Sequence, residues 1–541
     1  MKMLSEKNLS RRTFVVGGAA AAAAASLALA GCSGGGSDTK SEGEGGGEAA
    51  APAEGGALTA ACGYSSTNVD PVDLNGGSAL MLAATWHVFE GLYDLDVHTY
   101  ETYPALASGE PTKVSDTVYE VSLREGAKFS DGTDVTVDDV VNAFELNMAA
   151  GTIGPFLTFI DSVAKKDDTT VTITLKYPFE TLLTARLSLV KVFPASLSEE
   201  DRKKMPIGSG PWKYVSINGD DGGIIEFAPN ENYNGSKAAT ADTMTWNILL
   251  DDTARTTALQ EGTVQVMENV PAVNEEQLLG AGAAVEYVQG FSQAFLMFNC
   301  QKEPFNDKRV RQAFHYAIDY DKLIKNQLGG NAETLTSYLP KDNPAYHEAS
   351  TVYKHDPEKA KALLKEAGQE NLEVKLLVID NWIKDLSAQI QQDLQAVGMN
   401  VTLDVQAAPY PTMAASKTDE ILPFDVFLAP GDVSCFGTNA DVHLAWFYGE
   451  NTDWCQGRSC WAKAGDGKCQ EFNEYLDQAR KATDANTRQE AYNKCFDIIS
   501  EEVPLYPLFH KKVVTGYWAG LIEGFEPSPT TGLYFQNAKL K

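Results

Sequence analysis

Seven histidines and eight cysteines are the residues of this chain best suited to metal, redox or nucleophilic chemistry, and their spacing argues against most of it. His347-Glu348-Ala349-Ser350-Thr351 lacks the second histidine of an H-E-x-x-H zinc helix. Gly290-Phe291-Ser292-Gln293-Ala294 lacks the closing glycine of a nucleophile elbow. His315 falls beside the apolar face of a predicted helix, where a packed imidazole is the ordinary outcome. An exported hydrolase is therefore the weaker functional class, and no cofactor is expected. Cys455, Cys460, Cys469 and Cys495 cluster with 4, 8 and 25 residues between successive members, without a C-x2-C knuckle. Local disulfides are expected over a structural zinc, and the pairing is not readable from spacing. Cys62, Cys300 and Cys435 are scattered, so at least one of these seven thiols stays unpaired.

The eighth cysteine, Cys32, has a different setting. Lys2, Lys7, Arg11 and Arg12 form a basic n-region ahead of an apolar run from Val15 to Ala30. That run is shorter than the roughly 20 apolar residues a bilayer span needs. Ser10-Arg11-Arg12-Thr13-Phe14 resembles a twin-arginine export signal, and Leu29-Ala30-Gly31-Cys32 resembles a bacterial lipobox. A signal peptide over 1–31 and a lipid anchor on the Cys32 thiol are expected. Residues 33–57 are glycine-, serine- and glutamate-rich with no aromatic residue. As a flexible coil this tether spans roughly 27 Å, from about 5–6 Å × √n. The anticipated location is extracytoplasmic, at the cell membrane.

The formal net charge is −30, and removing residues 1–31, with four basic groups and one acidic, takes it to −33. Nucleic acid and a polybasic membrane patch are therefore excluded as partners. With 43% hydrophobic residues, the long remainder can bury a large core and is expected to form two or three lobes.

Hydropathy alternates as in an α/β chain. Residues 117–123 and 169–177 read as strands. Thr136 caps a helix carrying Val140, Val141 and Phe144, with Asp139 three residues on. Residues 306–328 read as one amphipathic helix with Val310, Phe314, Ala317 and Ile318 on a face. Asp356, Pro357 and Gly368 bracket another helix. A strand–helix–strand unit follows, with strands at 372–379 and 401–405 and a helix through Leu386, Ile390 and Leu394 ended by Gly398.

Several of these stretches, "LREGAKFSDGTDVTVDDV", "GSGPWKY", "TARTTALQEG", "EPFNDKRVRQAFHYAIDYDKLI" and "YKHDPEKAKALLKEAG", resemble successive landmarks of the family 5 extracellular solute-binding proteins, the oligopeptide- and dipeptide-binding class of ABC importers. The resemblance runs from about Val69 to Phe525. "FAPNENYNG" departs from it, lacking an arginine usual before the tyrosine. The resemblance implies an α/β, periplasmic-binding-protein-like two-wing clamshell (type II) with an extra third domain. Domain I would comprise 58–95, 207–290 and 511–541; domain II 96–206; domain III 291–510. A monomer would capture a small solute, by base rate a peptide, between domains I and III, close on a hinge, and dock on a separate permease and its ATPase subunits. Nickel chelates, haem and oligosaccharides are the other solutes implied.

In such receptors the peptide lies as an added strand, its amino terminus held by an acid. Asp432 falls at the matching place, with Asp441 the alternative if the alignment slips. Ser434 follows two residues on. Asn75, Gly76 and Gly77 occupy the position where domain I would meet the ligand backbone, and Trp446, Trp454 and Trp461 are further pocket candidates.

Overall fold

The computed structural model describes residues 56–72, 79–407 and 424–541. Cys32, the export segment, the tether and Asn75-Gly76-Gly77 lie outside these residues. No helix among the described residues is long and apolar enough to cross a membrane.

Two long antiparallel strands, Ala284–Phe298 and Leu505–Tyr517, organise the molecule. They form the middle of an eleven-stranded mixed sheet. On one side of them come Val426–Gly431, Glu373–Ile379 and Asn400–Gln406. On the other come Val266–Met267, Ala57–Cys62, Thr243–Ile248, Ile224–Pro229 and Trp212–Ile217. The short strand Ala332–Thr334 pairs separately with Leu505–Tyr517. The two long strands thus carry the chain between the sheet's halves, and the anticipated domain boundaries at 290/291 and 510/511 fall inside them. The fold is α/β and of the two-wing clamshell type.

The ladder between the long strands is interrupted. Gln289 pairs with Lys512 and Gln293 with His510, so Gly290, Phe291 and Ser292 stand opposite Lys511 alone. Such an interruption bends a sheet and re-aims side chains. Gly290 is obligatory here, because a Cβ would lie 1.9 Å from the Pro529 carbonyl oxygen. Having no side chain, Gly290 lets the Pro529 carbonyl of the C-terminal segment approach the strand closely.

A separate four-stranded antiparallel sheet runs Thr112–Ser115, Val118–Ser122, Thr170–Leu175, Ile160–Lys165. Helix Val137–Ala149 packs on it through Val140 and Phe144. Its start is the expected one: Thr136 accepts from the Asp139 amide, and Asp139 accepts from Thr136 in return. Asp356 likewise caps Pro357–Glu366, and Gly368 after it adopts φ 71°. Glu373–Ile379 and Asn400–Gln406 pair in parallel across helix Lys384–Ala396.

Residues 306–328 are not one helix. Lys308–Ala317 and Tyr320–Gln327 are separated at Ile318, which is extended, and Asp319 caps the second helix by accepting from the Lys322 amide at 3.1 Å. Both helices keep their apolar faces inward, so the break leaves Val310, Phe314, Leu323 and Ile324 buried. The expected local disulfides are not formed either: all seven described cysteines are free and buried. Burial raises the Cys62, Cys300 and Cys495 thiols, keeping them protonated and unreactive. Cys455 and Cys469 come together, with their sulfurs 3.4 Å apart.

Candidate functional site

Strand Val426–Gly431 ends against aromatic rings. A Cβ on Gly431 would meet Phe295 and Phe447 at 3.0 Å, so glycine is what allows the strand to finish there. The next residue, Asp432, is half-buried, and both its carboxylate oxygens are engaged. Oδ1 accepts from the Ser434 amide at 3.0 Å and the Ser434 hydroxyl at 2.5 Å. Oδ2 accepts from the Thr531 amide at 2.9 Å and the Thr531 hydroxyl at 2.8 Å, with Thr530 Oγ1 at 3.5 Å. Thr530 and Thr531 belong to the C-terminal segment that approaches Gly290 through Pro529. Asp432 therefore joins the end of one sheet half to a segment attached to the other. Every donor it uses is a hydroxyl or an amide, and no cation reaches it among the described residues.

Three tyrosines surround this carboxylate. Burial, with Asp432's negative charge adding to it, raises the phenols of Tyr100 and Tyr338. Burial also raises Tyr64, followed by Glu268 and, more weakly, by Asp432. The buried Tyr100 hydroxyl lies beside Ser434 and the buried Tyr338 hydroxyl beside Gln293, and Tyr100 is held at φ 58°, rare for a non-glycine residue. Phe291, from the interruption in the ladder, lies between two buried imidazoles, with ring centroids 4.6 Å from His443 and 5.9 Å from His510. Burial pushes His443 down to about 3 and His510 to about 4, so both are neutral at ordinary pH. A cavity of about 30 Å3 adjoins Cys435 and Phe436, between Trp86, Tyr103 and Tyr534.

Asp441 is in a different environment. It is fully buried in helix Ala440–Tyr448 and forms ion pairs with Arg186 and, at 2.6 Å, with Arg480. Burial alone would raise its pKa, but the two guanidinium groups hold it below the usual carboxylate range. Each oxygen is ion-paired and the group is sealed from solvent, so a ligand cation reaches Asp441 only by displacing a guanidinium.

The tryptophans divide three ways. Trp454 packs 5.7 Å from Phe295 and 5.0 Å from Phe447, the two rings that close on Gly431, with the Arg458 guanidinium 4.0 Å over its face. It stands behind the strand end, one ring removed from it. Trp461 is wholly buried against Tyr448 and Phe472. Trp446, half-buried, stacks on Phe156 at 5.6 Å and adjoins Phe436. Sequence reading missed Thr530 and Thr531. Their signal was weak: a hydroxyl pair ahead of Gly532, which adopts φ 115° and whose Cβ would meet Ala83 at 3.0 Å.

Among the described residues no group of three or more histidine, cysteine or acidic side chains is arranged to hold a metal ion.

Comparison with known proteins agrees with this architecture. The chain is 27% identical over 512 residues to the glutathione-binding protein GsiB of Escherichia coli strain K12, covering 90% of this chain and 94% of that one. The dipeptide-binding protein of Pseudoalteromonas sp. SM9913, solved in complex with Met-Leu, superposes with a TM-score of 0.76 at 20% identity, covering 90% of this chain and all of that one. NikA of Staphylococcus aureus, solved with Ni(L-His)2, gives the same TM-score and coverage at 17% identity. The two structural likenesses, below 25% identity, speak for the fold alone. Residues 101–441 match the family described as bacterial extracellular solute-binding proteins, family 5 Middle. That match covers more than half of the chain, which therefore belongs to the family 5 bacterial extracellular solute-binding proteins.

Proposed function

We propose that this solute-binding protein of the ABC-importer type captures peptides, with Asp432 taking the peptide's amino terminus. The observation that carries the reading is the set of partners on Asp432. A carboxylate held only by hydroxyls and amides can exchange them for an ammonium group, and the charge-assisted bond then formed is stronger than those it replaces. Asp441, locked between two arginines, cannot make this exchange. Thr530 and Thr531 keep Asp432 satisfied while no solute is present, which avoids a bare buried carboxylate.

In this reading, Gly431 and Asp432 present the end of a strand to which an extended peptide adds. The two long strands serve as the hinge, and a solute touching both sheet halves favours the closed arrangement by its differential affinity for it. Ser434 positions the Asp432 carboxylate. Trp454 supports the strand end from behind. Asn75, Gly76 and Gly77 are assigned to the opposite wall, Cys32 to a lipid anchor, and delivery to a separate permease, with the receptor acting as a monomer outside the cytoplasm. GsiB and the Pseudoalteromonas protein, by their names a glutathione and a dipeptide receptor, favour peptides over other solutes.

Native mass spectrometry of the purified protein identifies retained cargo directly. Calorimetry with di- to tetrapeptides then tests the anchor. A peptide that binds, and that loses affinity on amino-terminal acetylation, supports the reading. Absence of binding across the series, or turnover of the peptide, overturns it.

A further inference from the structure

The wall that carries Asp432 continues into a second charged group. After Thr531, the Gly532 amide faces Glu268, and Glu268 and Tyr64 lead to Lys511. Lys511 sits at the interruption between the two long strands, opposite Gly290 to Ser292. Its side chain is buried, and its Nζ donates to the Asn269 amide oxygen at 2.7 Å. Nζ also lies 4.7 Å over the ring of Trp382, whose side chain meets Tyr64. Asn269 comes from the sheet half containing Ala57–Cys62, and Trp382 from the half containing Glu373–Ile379, so the amine stands where the halves meet.

A buried ammonium ordinarily has an anionic partner. This one has none within ion-pair distance among the described residues. Asp252 is engaged by Arg255. Glu268 accepts from the Gly63 amide at 3.1 Å through Oε2 and is also faced by the Gly532 amide. An ammonium has three N–H donors; one goes to Asn269 and one faces the indole, leaving one unassigned. Asn269 itself is held at φ 55°, a conformation that asparagine tolerates and that aims its amide at Nζ. Burial lowers Lys511 to about 8, which agrees with an amine built to be completed by an incoming negative charge.

We propose that Lys511 is the anion-binding residue of the cleft, its ammonium taking the carboxylate of the captured solute while Asn269 and Trp382 hold it in place. This rests on the solute-receptor reading above and adds to it the charge the solute must carry: an acidic group at a distance from its amino group. Lys511 touches the solute, and Asn269 is a positioning residue.

The test uses the purified protein, Lys511→Met and Lys511→Gln, the second in case the first fails to fold. Thermal shift is measured with a mixed di- to tetrapeptide library and, in parallel, with sugar acids and small dicarboxylates. The best peptide is then titrated as free acid and as carboxy-terminal amide. The expected result is at least tenfold weaker binding of the amide to the wild type, and no discrimination between acid and amide in either variant. Peptide binding with equal affinity for acid and amide, or discrimination that survives in the variants, overturns the Lys511 assignment and leaves the peptide reading standing. Stabilisation by carboxylates alone, lost in the variants, upholds Lys511 and removes the peptide. No stabilisation by either panel overturns both.

Discussion

Asp432 and Asp441 are nine residues apart and identical in chemistry, yet the structure gives them opposite surroundings. Asp441 sits at the start of a helix with no solvent contact and two guanidinium groups on its oxygens. Asp432 sits at a strand end, half-buried, with only hydroxyl and amide donors. The first arrangement ties Arg186, from the region around the four-stranded sheet, to Arg480 on helix Lys468–Lys481. The second leaves an acid whose partners can be replaced. A carboxylate's role thus follows from whether its neighbours are charges or dipoles, since only dipoles are given up at modest cost.

The largest effect that separates them is on stability. Asp441→Asn leaves the buried Arg186 without its counter-charge and Arg480 with Asp477 alone, and a loss on the order of 3–5 kcal/mol is expected in denaturant unfolding. A loss below about 1 kcal/mol would erase the contrast. Acid comes next. His87, His443 and His510 are buried neutral, with pKa values lowered by burial to about 4, about 3 and about 4. Below about pH 6.5 the unfolded chain binds protons that the folded chain refuses, so stability falls as pH falls, down to the folded pKa values. At about 1.4 kcal/mol per unit, His87 and His510 each withdraw up to about 3.5 kcal/mol across roughly 2.5 units, and His443 up to about 5 kcal/mol across roughly 3.5 units. Asp441, lowered instead, adds its loss only below about pH 4, so unfolding followed against pH should show the histidine window first.

Asp432→Asn gives the next effect, and on a different observable. Peptide affinity is expected to fall by about 1.5–3 kcal/mol, the scale of a hydrogen bond to a charged group, while folding stability changes by less than about 1 kcal/mol. A large stability loss without a change in affinity would make Asp432 a second Asp441. The smallest effect belongs to Thr531→Val, which removes one hydroxyl donor from Asp432 and should cost the unliganded protein about 0.5–1.5 kcal/mol by the same unfolding measurement.

Local pattern was well expressed in the chain. Thr136 with Asp139, and Asp356 with Pro357, signal helix starts through groups only three residues apart, and both form as read. The parallel strands around Lys384–Ala396 are equally plain, because each is a short apolar run bounded by a glycine or a helix. The break at Ile318 was not seen, since both halves keep one apolar face and periodicity alone continues across it. The tryptophans were ambiguous for a related reason. An aromatic residue reads the same whether it lines a pocket or, like Trp461, fills a core.

From sequence alone came the α/β class, the family resemblance, the acidic charge that excludes nucleic acid, and the choice of Asp432 or Asp441 as a cleft acid. Only the tertiary structure separated those two aspartates, brought Thr530 and Thr531 to one of them across some hundred residues of chain, and placed Lys511 beside Asn269 and Trp382. The physical reason is range. Caps and alternation are contacts between near neighbours in the chain, whereas the charge state and the free valences of a buried group depend on residues that meet only when the sheet halves close.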